Sequence, residues 1–276
     1  MILDTIAKAT RVRVENAKQK LSLSQLKEKI YEGEGVRSFH NRNAFAFERS
    51  LKKNASLLRK GNTMSFICEV KKASPSKGVI AEDFPYLQVA KEYMEAGADA
   101  VSVLTEPDFF QGEDRYLTEI SKEISIPVLR KDFIIDEYQI YEARLIGADA
   151  VLLICSLLDT ETIRKYLKLC NELGLSVLVE AHSEPEVFSA IRAGARVIGV
   201  NNRNLNTFEV DITNSLSLRR LVPEDIIFVA ESGIRSAEDI SMLCEAGVDA
   251  VLIGETLMRS KNKKEELAKL RSYIQI

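Results

Sequence analysis

The sequence predicts an α/β fold, a (β/α)8 TIM barrel with an N-terminal helical extension. Four similar segments recur along the chain, and each ends a helix-like pattern with a glycine before a short apolar strand. The glycines are Gly97, Gly147, Gly194 and Gly247, which are 50, 47 and 53 residues apart. This spacing is too long for one strand–helix unit and fits two, so a second strand is expected within each interval.

The expected additional strands are present as apolar runs at 66–70, 126–130, 176–180 and 226–231. Together with the four repeats they make eight strands, each followed by a plausible helix. Strands that are apolar on both faces are typical of a parallel sheet covered by helices. Eight regular units favour a closed barrel; a doubly wound open sheet is the alternative.

The barrel does not account for the start of the chain. Residues 1–20 and 21–31 have helical character and precede the first strand. We therefore divide the chain into an extension at 1–48 and a barrel at 49–276, forming one domain overall. The extension is expected to pack on the barrel, either as a lid over the mouth or as a plug at one end.

Composition excludes several classes of protein. The chain of 276 residues has 38 basic and 41 acidic residues, a net charge of -3 and no basic field for nucleic acid. No apolar run approaches the roughly 20 residues of a membrane span, and charges interrupt the first twenty residues, unlike a signal peptide. The four cysteines form no CxxC pair, and neither histidine lies near one in sequence. We expect a cytoplasmic protein without metal or cofactor.

Charged and polar residues follow the predicted strands, where barrels of this type place their active sites. They are Glu69, Lys71, Lys131, Glu180, Asn201 and Glu231. Burying so many charges at one mouth is costly unless they pair, so their clustering indicates function. Glu69 and Lys71 have the same parity on the first strand, so both should face the barrel axis.

Two loops indicate a phosphate site. Ser232-Gly233 and Gly254-Glu255 follow the seventh and eighth strands. Glycine lets the backbone approach a phosphate closely, and the N–H groups of a following helical turn bind it. The loop at 71–78 adds lysines and hydroxyl groups, including Ser74. The sequence therefore predicts a small phosphorylated substrate.

Several stretches resemble the indole-3-glycerol phosphate synthase family. They are 69–78 (EVKKASPSKG), 102–112 (SVLTEPDFFQG), 127–133 (PVLRKDF), 201–205 (NNRNL), 230–234 (AESGI) and 252–255 (LIGE), together with Glu180. The resemblance spans the chain, and the combination of ExKxxSPS with LRKDF is specific. It implies a carboxy-lyase of tryptophan biosynthesis that closes the ring of 1-(2-carboxyphenylamino)-1-deoxyribulose 5-phosphate, with loss of carbon dioxide and water.

The resemblance also implies roles for residues. Lys131 is the general acid at the carbonyl, Glu180 is the acid or base of the later dehydration, and Lys71 holds the carboxylate that leaves. Glu69, Asn201 and Glu231 bind sugar hydroxyls and tune the lysines. Ser74, Ser232, Gly233, Gly254 and Glu255 cradle the phosphate, the last two through N–H groups, while Phe110, Phe133, Leu152 and Leu153 wall the aromatic ring. Arg203 either offsets the awkward charge of Glu255 or stacks near the ring.

Two other functions remain open at this point. In a Schiff-base aldolase, Lys131 or Lys71 would attack a carbonyl from a strand end. A non-catalytic barrel would bind a phosphorylated metabolite for regulation, although binding alone needs fewer opposed charges. The residues do not determine the oligomeric state, for which we expect a monomer or a weak homo-oligomer.

Overall fold

The computed structural model describes residues 2–33, 44–58, 64–204 and 207–272, with the backbone alone for 53–58. Eight parallel strands form a closed barrel: β1 (Ser65–Val70), β2 (Ala100–Leu104), β3 (Val128–Lys131), β4 (Ala150–Ile154), β5 (Ser176–Ala181), β6 (Val197–Asn201), β7 (Ile227–Glu231) and β8 (Ala250–Ile253). Neighbouring strands pair in sequence order, and β1 pairs with β8 through Ser65 and Ala250. The predicted barrel is confirmed, and the open sheet is excluded.

Helices precede the barrel and follow each of its strands. They are α1 (Ile2–Lys20), α2 (Leu23–Tyr31), α3 (Ala46–Leu58), α4 (Tyr86–Glu95), α5 (Pro107–Phe110), α6 (Asp114–Glu123), α7 (Glu137–Ile146), α8 (Thr160–Glu172), α9 (Glu184–Ala193), α10 (Thr213–Arg219), α11 (Ala237–Glu245), α12 (Glu255–Arg259) and α13 (Lys263–Arg271). A two-stranded ribbon, Ala73–Ser74 with Gly78–Val79, lies in the loop after β1. None of the helices in the described ranges is long and apolar enough to cross a bilayer.

The repeat glycines end helices as the sequence predicts. Gly147 follows α7 with φ of 99°, and Gly194 follows α9 with φ of 93°. These left-handed conformations suit glycine because it has no Cβ. Each helix therefore stops one turn before the next strand begins.

Strand residues alternate between an inner and an outer core. The inner core includes Ile67, Ala100, Leu129, Ala150, Leu152, Leu178, Val197, Val229 and Leu252. The intervening residues pack outward beneath the helices. Near the carboxyl ends of the strands, the same inner positions carry polar groups, so one parity rule places both the core and the site.

Helix α3 closes the amino-terminal end of the barrel. Its Phe47 and Leu51 are fully buried in the inner core. The backbone N–H of Glu48 donates to Ser176 Oγ at the start of β5, over 3.1 Å. Helix α3, which crosses the boundary expected at residue 48, therefore plugs this end of the barrel.

Helix α1 lies at the opposite end. Ile2, Leu3 and Ile6 line the cavity at the mouth. Arg13 forms an ion pair with Asp132, just after β3, at 2.6 Å, while Lys18 pairs with Asp136 at 2.7 Å. The extension therefore contacts both ends of the barrel; residues 34–43 of it lie outside the described ranges.

Candidate active site

A cavity of about 580 Å³ opens at the carboxyl ends of the strands. The site residues predicted from sequence converge on it, with one exception. Those that line it are Glu69, Lys71, Ser74, Phe110, Lys131, Phe133, Leu152, Glu180, Asn201, Arg203, Glu231, Ser232, Gly233, Gly254 and Glu255. Glu69 and Lys71 both face the barrel axis, as their parity predicts.

Leu153 is the exception, and its expected place against the aromatic ring is wrong. It is fully buried in the outer core beneath the helices and does not line the cavity. Its neighbour Leu152 belongs to the inner core and does line it. Successive residues of a strand point to opposite faces, so the two leucines cannot share one wall.

Lys131 lies at the centre of the charged cluster. Its Nζ atom donates to Glu180 Oε2 at 2.7 Å and to Glu231 Oε2 at 2.9 Å. Burial alone would lower the pKa of Lys131, but the charges of Glu180, Glu231 and Glu69 outweigh it and raise the pKa above its ordinary value. The amine is therefore a cation at neutral pH, held at the end of β3.

The two carboxylates beside Lys131 are shifted in opposite directions. Burial alone would raise the pKa of Glu180, but Lys131 and His182 outweigh it, and a hydrogen bond from Asn201 contributes, so the pKa is lowered. Burial, with Glu180 and Glu69 nearby, raises the pKa of Glu231 to about 7 despite Lys131. One carboxylate is firmly ionised and the other titrates near neutrality, the separation expected of acid–base machinery.

Gly199 leaves the space that Glu231 occupies. A Cβ atom at this position of β6 would lie 2.2 Å from Glu231 Oε1 and 3.1 Å from Leu178 Cδ1. Glu231 Oε1 is buried and has no hydrogen-bond partner among the residues that the structure describes. The inner layer thus has a gap that admits a carboxylate and leaves one of its oxygens unpaired, at a cost in stability.

We expect Glu231→Gln to stabilise the fold at about pH 8, by about 1–3 kcal/mol. The unfolded chain loses this proton near 4.5, whereas the folded protein holds it to about 7. Folded stability therefore falls as pH rises through this window and stays reduced above it. Glutamine has no carboxyl proton to lose, so Glu231→Gln avoids this loss of folding stability. Its stabilising effect should therefore vanish at about pH 5. Urea unfolding of the variant and the wild type at both pH values measures the difference in free energy of unfolding. An equal difference at the two pH values would contradict the prediction.

A second ion pair lies across the mouth. Lys71 Nζ hydrogen-bonds Glu69 Oε2. Gly254 leaves room for the pair, since a Cβ there would lie 2.3 Å from Glu69 Oε2 and 3.0 Å from Lys71 Nζ. The cavity therefore offers two lysines, each held by glutamate, on neighbouring parts of its wall.

The loop after β7 has two successive residues in the left-handed backbone region. Ser232 and Gly233 have φ of 68° and 86°, and Asn202 Nδ2 donates to the Ser232 carbonyl at 3.0 Å. Glu255, which follows β8, lines the cavity and forms ion pairs with Lys77 at 3.6 Å and with Arg259 at 3.2 Å. These ion pairs offset the negative charge of Glu255, which is the awkward charge noted in the sequence analysis.

Arg203 has a local partner. Its Nη1 donates to the Phe208 carbonyl at 3.2 Å, and its backbone N–H donates to Asn201 Oδ1 at 3.0 Å. Glu255 forms its ion pairs with Lys77 and Arg259, so these residues and not Arg203 offset its charge. Arg203 thus braces its own loop at the rim of the cavity.

The apolar side of the cavity carries an aromatic pair. The rings of Phe110 and Phe133 lie 5.9 Å apart and are tilted by 39°. The buried Glu106 carboxylate accepts the N–H groups of Asp108, Phe109 and Phe110, at 2.8–3.1 Å, and so fixes α5. Sequence reasoning missed Glu106, although an acidic residue before Pro107 is a recognisable helix start.

Arg130 and Asp132 flank Lys131; Arg130 pairs with residues of the outer helices, whereas Asp132 lies at the rim of the cavity. Arg130 is 2% exposed and pairs with Asp114 at 2.8 Å and with Glu142 at 2.7 Å. Asp132 accepts from Thr105 Oγ1 at 2.8 Å and pairs with Arg13 of α1. Within the LRKDF stretch, Lys131 therefore faces the cavity while its two charged neighbours anchor the strand.

Other lining residues were not foreseen. Ile2, Leu3 and Ile6 come from α1, and their spacing shows an apolar helix face without showing what it covers. Arg235 and Arg259 add positive charge at the rim. No group of three or more His, Cys, Asp or Glu within the described ranges is placed to hold a metal ion.

Comparison with known proteins now identifies the family. The sequence profile described as indole-3-glycerol phosphate synthase matches residues 3–270. The chain belongs to the indole-3-glycerol phosphate synthase family. An indole-3-glycerol phosphate synthase of Ruminiclostridium cellulolyticum is 60% identical over 98% of this chain and 99% of the relative. That of Lachnoclostridium phytofermentans is 52% identical over 99% of this chain and 100% of the relative.

Solved structures resemble the chain in fold. The 3-hexulose-6-phosphate synthase of Salmonella typhimurium has a TM-score of 0.62 at 16% identity, covering 77% of this chain and 99% of that one. Thiamine phosphate pyrophosphorylase of Pyrococcus furiosus has a TM-score of 0.56 at 17% identity, covering 77% and 95%. At these identities the structural likeness shows the barrel fold alone. The assignment of this chain to the indole-3-glycerol phosphate synthase family rests on sequence.

Proposed function

We propose that the protein converts 1-(2-carboxyphenylamino)-1-deoxyribulose 5-phosphate to indole-3-glycerol phosphate, carbon dioxide and water in tryptophan biosynthesis. The observation that carries this proposal is the buried Lys131 cation held between Glu180 and Glu231 in the cavity. The reaction requires proton donors and acceptors and no electron sink, which suits this cluster.

Lys131 is assigned as the acid of ring closure. The aromatic carbon that bears the carboxylate attacks the ketone carbon, and the ketone oxygen takes a proton from Lys131 Nζ. The cation stabilises the developing alkoxide in a site that excludes water. Its raised pKa supports this role, because the donor must be charged before the reaction.

Glu180 is assigned to the steps after carbon dioxide leaves. The new hydroxyl departs as water, and a proton is lost from the adjacent CH2 group to give the indole. Glu180 lies 2.7 Å from Lys131, so the pair exchanges protons directly. Glu231 and Asn201 contact these two groups and are assigned to the sugar hydroxyls and to tuning the pair.

Lys71 is assigned to the carboxylate of the substrate. It lines the cavity with its Nζ hydrogen-bonded to Glu69, which holds the cation in place. The aromatic ring of the substrate lies against Phe110, Phe133 and Leu152. Loss of carbon dioxide then removes the negative charge that Lys71 binds.

A Schiff-base aldolase is less well supported. The amine that attacks a carbonyl must be neutral. Two carboxylates within 2.9 Å of Lys131 Nζ favour its cation instead. A barrel that only binds a phosphorylated metabolite leaves the buried Lys131–Glu180–Glu231 cluster without a purpose.

Purified protein supplied with 1-(2-carboxyphenylamino)-1-deoxyribulose 5-phosphate should produce indole fluorescence without added metal or nucleotide. Borohydride should trap no covalent adduct. Fluorescence that is absent, or that appears only with magnesium after dialysis against chelator, contradicts the proposal. A borohydride-dependent adduct on Lys131 favours the aldolase.

The substrate phosphate is assigned to the loops after β7 and β8, with Ser74 on the opposite side. Gly233→Val should raise KM about tenfold to a hundredfold, the equivalent of one lost charge-assisted hydrogen bond. Valine strains a backbone at φ of 86°, and its Cβ would lie 2.6 Å from Val210 Cγ1. Steady-state kinetics and thermal melts on one preparation measure both effects. Gly174→Val is the control, because its φ of 67° brings similar strain away from the cavity. A lowered Tm with unchanged KM in Gly233→Val places the phosphate elsewhere.

Four broader expectations accompany this function. The protein acts in the cytoplasm as a monomer or weak homo-oligomer, without a nucleic-acid partner. Residues 1–48 and 49–276 form one domain, which the burial of Phe47 in the inner core of the barrel supports.

A further inference from the structure

His182 contacts the charged cluster from behind the cavity wall. It follows β5, and its Nε2 lies 3.4 Å from Glu180 Oε1, whereas Lys131 donates to the other oxygen, Oε2. Its Nδ1 lies 3.3 Å from Glu186 Oε2. His182 does not line the cavity, although Glu180 does. The imidazole ring thus lies between the Glu180 carboxylate and a second carboxylate on α9.

Hydrogen bonds to neighbouring elements hold His182 in this position. Glu186 Oε2 accepts the backbone N–H of His182 at 2.6 Å, and Glu186 Oε1 accepts Ser156 Oγ at 2.6 Å. Asn214 Nδ2, from α10, donates to the His182 carbonyl at 3.3 Å. The residue is therefore fixed from α9 and α10, and its Nε2 stays beside Glu180.

The surroundings of His182 favour its cation. Both ring nitrogens face carboxylate oxygens, so a lone pair on either would meet negative charge, whereas an N–H group is attracted. The charged groups that face the ring are Glu180 from β5, Glu186 from α9 and, at longer range, Glu231 from β7. Burial alone would lower the pKa of His182, but these carboxylates outweigh it and raise the pKa.

Lys131 is a cation beside Glu180 for only part of the proposed reaction. Ring closure leaves Lys131 Nζ neutral, and Glu180 must then be ionised to take the proton from the adjacent CH2 group. A buried carboxylate without a cation nearby has a raised pKa and takes up a proton. Glu231 shows the effect, since its pKa is about 7 even beside Lys131. His182 is a second cation, and ring closure does not consume its charge.

We propose that His182 is a positioning residue for Glu180. Its imidazolium holds Glu180 Oε1 while Lys131 holds Oε2, and it keeps Glu180 ionised once Lys131 has given up its proton. No proton passes through His182 in this role. The inference rests on the proposed function and adds to it a residue that acts through Glu180 without touching the substrate.

The first test is the pH dependence of kcat in His182→Gln. Glutamine can still hydrogen-bond but carries no charge, so the pKa of Glu180 should rise and the acidic limb of the kcat profile should move up by about 1–3 pH units. The ratio of the variant's kcat to that of the wild type should therefore climb from about a tenth or less at about pH 6 to near one at about pH 9. KM should stay within about twofold, because His182 lies outside the cavity.

Two variants on α9 accompany this measurement. Glu186→Gln should move the acidic limb in the same direction but by less, because it weakens the charge on His182 and leaves the contact with Glu180. Glu184→Gln, an exposed change on the same helix, should match wild type. The titration of Glu231 is common to all these proteins, so a shift between them reports on Glu180.

The second test needs no turnover. The sequence contains two histidines, so the imidazole NMR signals that remain in His40→Gln belong to His182. In that protein the pKa of His182 should lie above its ordinary value of 6.5. Adding Glu180→Gln removes the negative charge beside Nε2 and should lower the pKa of His182 by about 1–3 units.

Several results would overturn the positioning role. A kcat that falls by one factor at every pH means that His182 only supports the fold, and an unchanged profile means that it does not act on Glu180. A pKa of His182 that ignores Glu180→Gln has the same consequence. If His182→Gln does not fold, Glu186→Gln and the NMR titration decide. Wild-type protein that makes no indole product overturns the proposed function, whereas indole production with a flat kcat ratio overturns the positioning role alone.

Discussion

Lys131→Met is expected to lose about 10²–10⁴-fold in kcat while substrate binding stays measurable. Methionine fills similar volume without a proton or a charge. The lost interaction is made with the developing alkoxide, so the rate should fall more than the affinity. Without the cation, Glu180 and Glu231 face each other, and one of them should take up a proton.

Stopped-flow fluorescence and equilibrium binding to the same protein separate the two effects. Lys91→Met is the matched control, since Lys91 pairs with Glu123 on the surface, at 2.8 Å. It should keep the wild-type rate. Turnover of Lys131→Met near the wild-type rate would show that Lys131 is not the general acid.

Arg130→Met is expected to destabilise the fold by about 3–5 kcal/mol, the usual loss when one partner of a buried ion pair is removed. The Arg130 side chain is 2% exposed and bridges Asp114, Glu142 and Asp132. It also donates to the Gln139 carbonyl at 3.1 Å. Removal of the guanidinium leaves these acceptors without their donor between β3 and its neighbouring helices. The ion pairs of Lys131 with Glu180 and Glu231 are unaffected.

Urea unfolding measures this loss, and turnover per folded molecule should change far less than in Lys131→Met. Arg115→Met provides the control, because Arg115 is 60% exposed and pairs with Glu113 at 3.4 Å. A surface change of this kind should stay within about 0.5 kcal/mol. Equal stability of the two variants contradicts a structural role for the Arg130 network.

The barrel and most of the site residues are predictable from sequence for a common reason. In a closed parallel barrel, all strand ends meet at one mouth, so locating the strands locates the polar residues that follow them. Parity then decides which residues face inward, and it was sufficient for Glu69 and Lys71. The same rule separates Leu152 from Leu153, and ignoring it there produced the wrong assignment.

The rest depends on contacts that local sequence does not encode. An apolar stripe on α1 indicates burial, yet only tertiary structure shows that Ile2 and Ile6 reach the mouth. A lone histidine such as His182 belongs to no sequence motif, and only the structure shows that it lies between Glu180 and Glu186. Glu255 looks unfavourable in a predicted phosphate loop, and only the structure shows that its charge is paired with Lys77 and Arg259.

The pairing of β1 with β8 has a consequence for synthesis of the chain. The first strand to leave the ribosome has the last strand as one of its neighbours, with Ser65 pairing Ala250. At roughly 5–20 residues per second, about ten to forty seconds separate the two. During that interval an edge of β1 stays open to wrong partners, a known hazard of slow, non-local sheets. Because Glu69 lies on β1 and Gly254 follows β8, the mouth is completed only after β8 has been synthesised.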